Sequence, residues 1–98
     1  MIYVVATMQV KPEKRDAVLA AAKIAIAETR KETGCQSYDL HVSVTEPDTF
    51  VFVERWDNRD CLTAHMGMPH FKEWRKVANE AINGRKVEII EPGKVDVM

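Results

Sequence analysis

Hydrophobic positions along the chain change period several times, and each change marks an element. From Ile2 to Val10 the residues alternate, with Ile2, Val4, Ala6, Met8 and Val10 on one side and Tyr3, Val5, Thr7 and Gln9 on the other. Period two is that of a strand, and Lys11-Pro12 ends it. Pro12 suits a first helical position, Glu13 sits near the positive helix end, and Gly34 supplies a left-handed stop about twenty residues on. Between them Val18, Ala21, Ala22, Ala25, Ile26 and Thr29 share one helical face. Its alanines either let the helix lie close to a sheet or leave space for a ligand. Alternation returns from Cys35 to Val44, where Tyr38, Leu40, Val42 and Val44 oppose Asp39, His41 and Ser43. A turn at Glu46-Pro47-Asp48-Thr49 leads into the run Phe50 to Trp56, so these two strands form an antiparallel hairpin. Asp57 is placed to cap a short helix carrying Cys61, Leu62 and His65, and Gly67 breaks it. Pro69 starts another helix with Phe71, Trp74, Ala78, Ala81 and Ile82 inward; Asn83-Gly84 ends it. Lys86 to Glu91 reads as a fourth strand, followed by a turn at Pro92-Gly93 and a short alternating tail.

The order strand, helix, strand, strand, helix, strand is the split βαβ arrangement, an α+β ferredoxin-like fold with an antiparallel sheet. A chain of 98 residues holds one such domain, 1–98. Helices on one side leave the other sheet face bare, yet Val5, Val51 and Val53 make that face apolar too. A second copy packed sheet to sheet is the economical cover, which predicts a homodimer with the tail, residues 93–98, reaching the partner.

Composition narrows the function classes. With 14 Lys+Arg, 15 Asp+Glu and a net charge of -1, there is no basic footprint for nucleic acid or an anionic membrane. No run approaches the roughly 18 apolar residues of a membrane span. The start MIYVVATMQV has no basic leader, so a cytoplasmic protein is the expectation. Cys35 and Cys61 stand apart with no CxxC spacing, which predicts reduced thiols rather than a disulfide or zinc framework.

No nucleotide, flavin, zinc-protease or serine-hydrolase motif occurs, so any chemistry falls to ordinary side chains. Strand parity sets Glu54 beside Phe50, Phe52 and Trp56, where a carboxylate must be paired, hydrogen-bonded or protonated. His65 is its natural partner, and a Glu–His pair in an apolar pocket can act as a general base. Alternatively, Glu54 faces solvent or pairs with Arg55 or Arg75, and His65 caps a helix. His70 is either a solvated first-turn residue or a ligand gate. His65 and His70 are separated by a helix break, poor spacing for a shared metal, so no metal site is expected. Tyr38 and Trp56 are core residues or surfaces for stacking on an aromatic ligand.

The run Glu54-Arg55-Trp56-Asp57, then Leu62, Ala64-His65 and Pro69-His70-Phe71, resembles the antibiotic biosynthesis monooxygenase family. Gly34-Cys35 and the closing Ile89-Ile90-Glu91-Pro92-Gly93 are similar to its quinol monooxygenase branch, so the likeness covers nearly the whole chain. The resemblance implies a dimeric α/β barrel with a pocket between sheet and helices. It implies oxidation of a small aromatic or quinol substrate by O₂ without any cofactor. On this reading His65 and Glu54 are catalytic, Trp56 and Phe52 form an aromatic wall, and Tyr38, Thr7 and His70 contact substrate. A haem-degrading branch is disfavoured, because Thr7, His65 and Arg75 stand where that branch has its Asn, Trp and axial His. Two alternatives stay open: a cofactor-free isomerase of a phosphorylated signalling molecule of the autoinducer-2 type, and a non-catalytic barrel that binds a small molecule.

Overall fold

The computed structural model describes residues 1–98, and its shortest dimension, 19 Å, is that of one sheet carrying one layer of helices. Strand β1 (Ile2–Val10) is followed by a single 3₁₀ turn (Pro12–Lys14) and helix α1 (Arg15–Thr29). Then come β2 (Cys35–Val42), β3 (Thr49–Trp56), α2 (Arg59–Met66), α3 (Pro69–Ala81) and β4 (Ile82–Ile90). The sheet order is β2-β3-β1-β4, antiparallel throughout, as the ferredoxin-like arrangement requires.

Alternation along the strands fixes which side chains meet the helices. Three cross-strand rows run over the inner face: Tyr38, Glu54, Val4, Ile89; then Leu40, Phe52, Ala6, Val87; then Val42, Phe50, Met8, Arg85. Phe50, Phe52, Trp56, Val4 and Met8 are all buried, with Trp74 of α3 against Phe52 and Arg15 of α1 over Phe50. The β4 ends of these rows are not covered, and Val87 is 52% and Ile89 38% exposed. Helix α1 packs chiefly on α3, burying Val18, Ala22, Ala25 and Thr29. No residue of α1 lines the cavity described below, so its alanine stripe serves close packing rather than ligand space.

Local chemistry moves several predicted boundaries. Pro12 opens the 3₁₀ turn, and the α-helix proper starts only at Arg15. The cap of α2 is Asn58, whose side chain accepts from the Cys61 N–H at 3.0 Å; Asp57 instead accepts from the Gln36 amide. Asn83-Gly84 does not separate α3 from the last strand. Helix α3 runs directly into β4, and Asn83 is an extra residue in the ladder, since Val10 pairs with Ile82 while Gln9 pairs with Gly84. Gly34 does adopt the left-handed conformation, φ 82°, and a Cβ there would lie 2.3 Å from Cys61 Sγ. Its carbonyl accepts from the Asp57 N–H at 2.9 Å, which ties the end of α1 to the entry of α2.

Candidate functional site

A cavity of about 110 Å³ lies between the inner sheet face and α2 and α3, open toward β4. Ala6 sits between Phe52 and Val87 in the middle row, and its short side chain leaves the floor low there. Phe71, Trp74, Leu62 and Met66 form the roof. Of 15 lining residues, 11 are hydrophobic; the four that are not are Glu54, His65, Arg75 and Arg85.

His65 is held in an aromatic box, with ring centroids 4.8 Å from Trp56, 4.9 Å from Phe71 and 5.3 Å from Tyr38. Its carboxylate partner is not Glu54. His65 Nδ1 lies 2.8 Å from Glu32 Oε2, and the same oxygen is 2.7 Å from His70 Nε2. Glu32 stands in the turn after α1, where its N–H donates to Thr29 and its carbonyl accepts from Cys35, so its side chain points under α2 and is only 6% exposed. A carboxylate can only accept, so each imidazole presents an N–H to it. That fixes His65 as the Nδ1–H form and leaves Nε2, buried and without a protein partner, with a free lone pair. Burial lowers the His65 pKa, and the bond to Glu32 partly offsets this, so the ring is neutral near pH 7.

Glu54 is equally buried, 6% exposed, but accepts from the Trp56 indole N–H at 3.0 Å. Adjacent same-face positions on one strand explain that bond. Desolvation pushes its pKa up to about 7, against the lowering effect of the Trp56 hydrogen bond and with a smaller push from Glu32. Tyr38 is driven well above the usual phenol range by burial and by the Glu54 and Glu32 charges. Burial, then the same acids, raise the Cys35 thiol to about 11, so it is no nucleophile.

Among the residues singled out in the sequence, Glu54, His65, Phe52 and Tyr38 line the cavity. Trp56 is wholly buried behind it, and His70 reaches the network through Glu32. Thr7 is elsewhere: strand parity sends it to the outer face, beside Gln9, Lys86 and Glu88. The helix break does not keep the two histidines apart, because Gly67 and Met68 turn α3 back toward α2. Glu32, His65 and His70 bring their ligand atoms within 4.8 Å of one another, a two-histidine, one-carboxylate set able to hold a divalent transition metal. Sequence reasoning missed Glu32 and Arg85 as site residues, and weighed Arg75 only as an alternative partner of Glu54, whereas it lines the cavity without pairing with that acid. Glu32 lies in the charged stretch ETRKETG, which reads as solvated; the only sequence signal for it was a buried histidine in need of an acid.

Residues 1–77 match the family model for antibiotic biosynthesis monooxygenase. The chain belongs to that family. YcnE of Bacillus subtilis, provisionally named a monooxygenase, is 38% identical over 72 residues, 74% of this chain and 76% of that one. An uncharacterized Synechocystis protein, sll1783, is 37% identical over 73 residues, 74% of this chain but only 50% of its own length. The solved structure of Rv0793 from Mycobacterium tuberculosis superposes with a TM-score of 0.90 at 31% identity, covering 98% of both chains. Membership and these relatives support a monooxygenase-like role for a small-molecule site. No helix is long and apolar enough to cross a membrane.

Proposed function

We propose that the protein is a cofactor-independent monooxygenase that oxidises a small aromatic hydroquinone with O₂. The observation that carries the reading is the buried His65 whose Nδ1 is bound to Glu32 while its Nε2 has no protein partner. The cavity, about 110 Å³ and open toward β4, is somewhat smaller than the roughly 150 Å³ closed apolar space known to hold benzene, so an aromatic ring enters it with one edge in the open mouth. With its hydroxyl at His65, the substrate gives a proton to Nε2, and the imidazolium is stabilised through Nδ1–H by the Glu32 carboxylate. The electron-rich phenolate then reduces O₂ directly. Hydroquinone and O₂ give hydroxyquinone and water, so the substrate supplies every electron and no external reductant is consumed. Apolar walls keep water from the reduced oxygen before it attacks the ring. Glu54, with a pKa of about 7, is placed to hydrogen-bond the second hydroxyl in its protonated form.

The working unit in this reading is a homodimer in the cytoplasm. Val5, Val51 and Val53 are only partly covered on the outer sheet face, where Ile90 is exposed as well, and Val95 and Val97 of the tail are exposed too. Two free thiols fit a reducing compartment. Size-exclusion chromatography with light scattering is expected to return twice the chain mass. The decisive assay is oxygen uptake with hydroquinones after chelation of metals. Wild type is expected to turn over unchanged by the chelator, and His65→Ala to lose about 10³-fold. Turnover undiminished in His65→Ala overturns the mechanism; loss on chelation, restored by a divalent metal, transfers the role of the three-residue cluster to metal binding.

A further inference from the structure

The cavity mouth carries two arginines that nothing in the proton-transfer scheme uses. Arg75 stands on α3, one turn beyond Phe71, and Arg85 on β4 at the open end of the Met8 row. Both line the same cavity as His65 and Glu54. The other four arginines all have polar partners: Arg15 with Pro47 and Asp48, Arg30 with Asp39, Arg55 with Ser37, Arg59 with Glu91. Arg75 and Arg85 have no ion pair and no side-chain hydrogen bond. Two acids close to them in sequence are engaged elsewhere, Glu73 with Lys76 and Glu88 with Lys86, and Glu80 forms no ion pair with either. Arg75 lies over the Phe71 ring, 5.7 Å from its centroid, which directs it along the cavity wall. The two guanidiniums also sense each other. Partial burial first, and then the charge of Arg75, lower the pKa of Arg85.

Two uncompensated cations at the rim of an apolar slot repel one another, and an anion between them removes the repulsion while gaining charge-assisted hydrogen bonds. We infer that the substrate is an acidic aromatic: a hydroxylated ring carrying an anionic group, most simply a carboxylate, held by Arg75 and Arg85 while the ring lies over Ala6 and Phe52 with a hydroxyl toward His65. This rests on the reading of the cavity as a quinol site and adds the substituent that orients the ring in it. The polar groups then fall into two sets along the slot, bases at the closed end and cations at the open end.

Binding is read from tryptophan fluorescence, since Trp74 roofs the cavity. The probes are 2,5-dihydroxybenzoate, hydroquinone, which is the same ring without the carboxylate, and ribose 5-phosphate, an anion without a ring. The acid is expected to bind about tenfold or more tighter than hydroquinone. That ratio is expected to fall toward one in Arg75→Gln/Arg85→Gln, whose far-UV circular dichroism and melting curve establish that it folds. Equal affinity for acid and hydroquinone, or a ratio that survives in the double variant, overturns the inference. Ribose 5-phosphate binding tighter than the acid overturns the aromatic assignment in favour of a phosphorylated ligand. Oxygen uptake is measured on the same samples. Uptake with no preference for the acid sinks the anion site and leaves the monooxygenase reading standing; preference for the acid with no uptake from any hydroquinone does the reverse.

Discussion

The two ends of the cavity differ in how their polar groups are satisfied. At the closed end, beneath α2, Glu32 bonds to His65 and His70, and Glu54 to Trp56, in a space almost free of solvent. At the open end, along β4, Arg75 and Arg85 bond to nothing and remain exposed. Desolvation is strong enough at the first end to move proton affinities, and each group there must be held by a neighbour. The second end is wet, so unpaired charge is tolerated and stays available for a ligand. One small cavity thus holds buried, bonded ionisable groups at one end and unpaired cations at the other.

The largest effect that sharpens this contrast belongs to Glu54. Its pKa is raised from 4.5 to about 7 in the folded protein, so the folded state holds the proton over a pH range in which the unfolded chain has released it. Stability from this group is therefore full below about pH 4.5 and is lost as pH rises to about 7, by about 3 kcal/mol. His65 works in the opposite direction: with its pKa lowered, it withdraws stability as pH falls through 6.5. Glu54→Gln keeps the oxygen that accepts from Trp56 and cannot ionise. Urea unfolding from pH 4.5 to 8 is expected to show the variant gaining on wild type as pH rises; parallel curves would mean that Glu54 reaches water.

Next comes Glu32→Gln. A neutral amide can offer either an oxygen or an N–H to His65, so the tautomer is no longer fixed and the imidazolium loses its counter-charge. Oxygen uptake with hydroquinone is expected to drop about 10²-fold, with a smaller change in KM than in kcat. Rates equal to wild type would return the His65 partnership to some other group. The smallest effect is predicted at the open end, where Arg85→Gln removes a charge that no protein group needs. Its melting temperature is expected to change little, the difference staying within about 0.5 kcal/mol; a large loss would expose a structural contact and erase the distinction between the two ends.

Much of this architecture was legible in the sequence because it follows from local periodicity. Strand parity alone puts Phe50, Phe52, Glu54 and Trp56 on one face and makes Glu54 a buried acid, which it is. The same parity puts Thr7 on the other face, and alignment with a family pattern did not overrule it. What escaped depends on packing between distant segments. Glu32 meets His65 across 33 positions, through a turn whose path is set by the left-handed Gly34 and its contact with Cys61. Arg75 and Arg85 converge only because α3 and β4 meet at a corner, and an Asn-Gly pair that suggests a turn is absorbed as a bulge. Periodicity describes faces; it carries no information on which faces meet.

That corner has a mechanical meaning. Ala81 closes the helix and Ile82 opens the strand with no residue between them, and the Lys11 N–H donates to the Ala81 carbonyl at 2.8 Å. With no linker between them, a tilt of α3 is passed directly to the start of β4. The spacing of the two backbone positions that carry Arg75 and Arg85 is thus governed by one junction, as a pivot governs the arms of a calliper, and the exposed side chains supply the remaining adjustment.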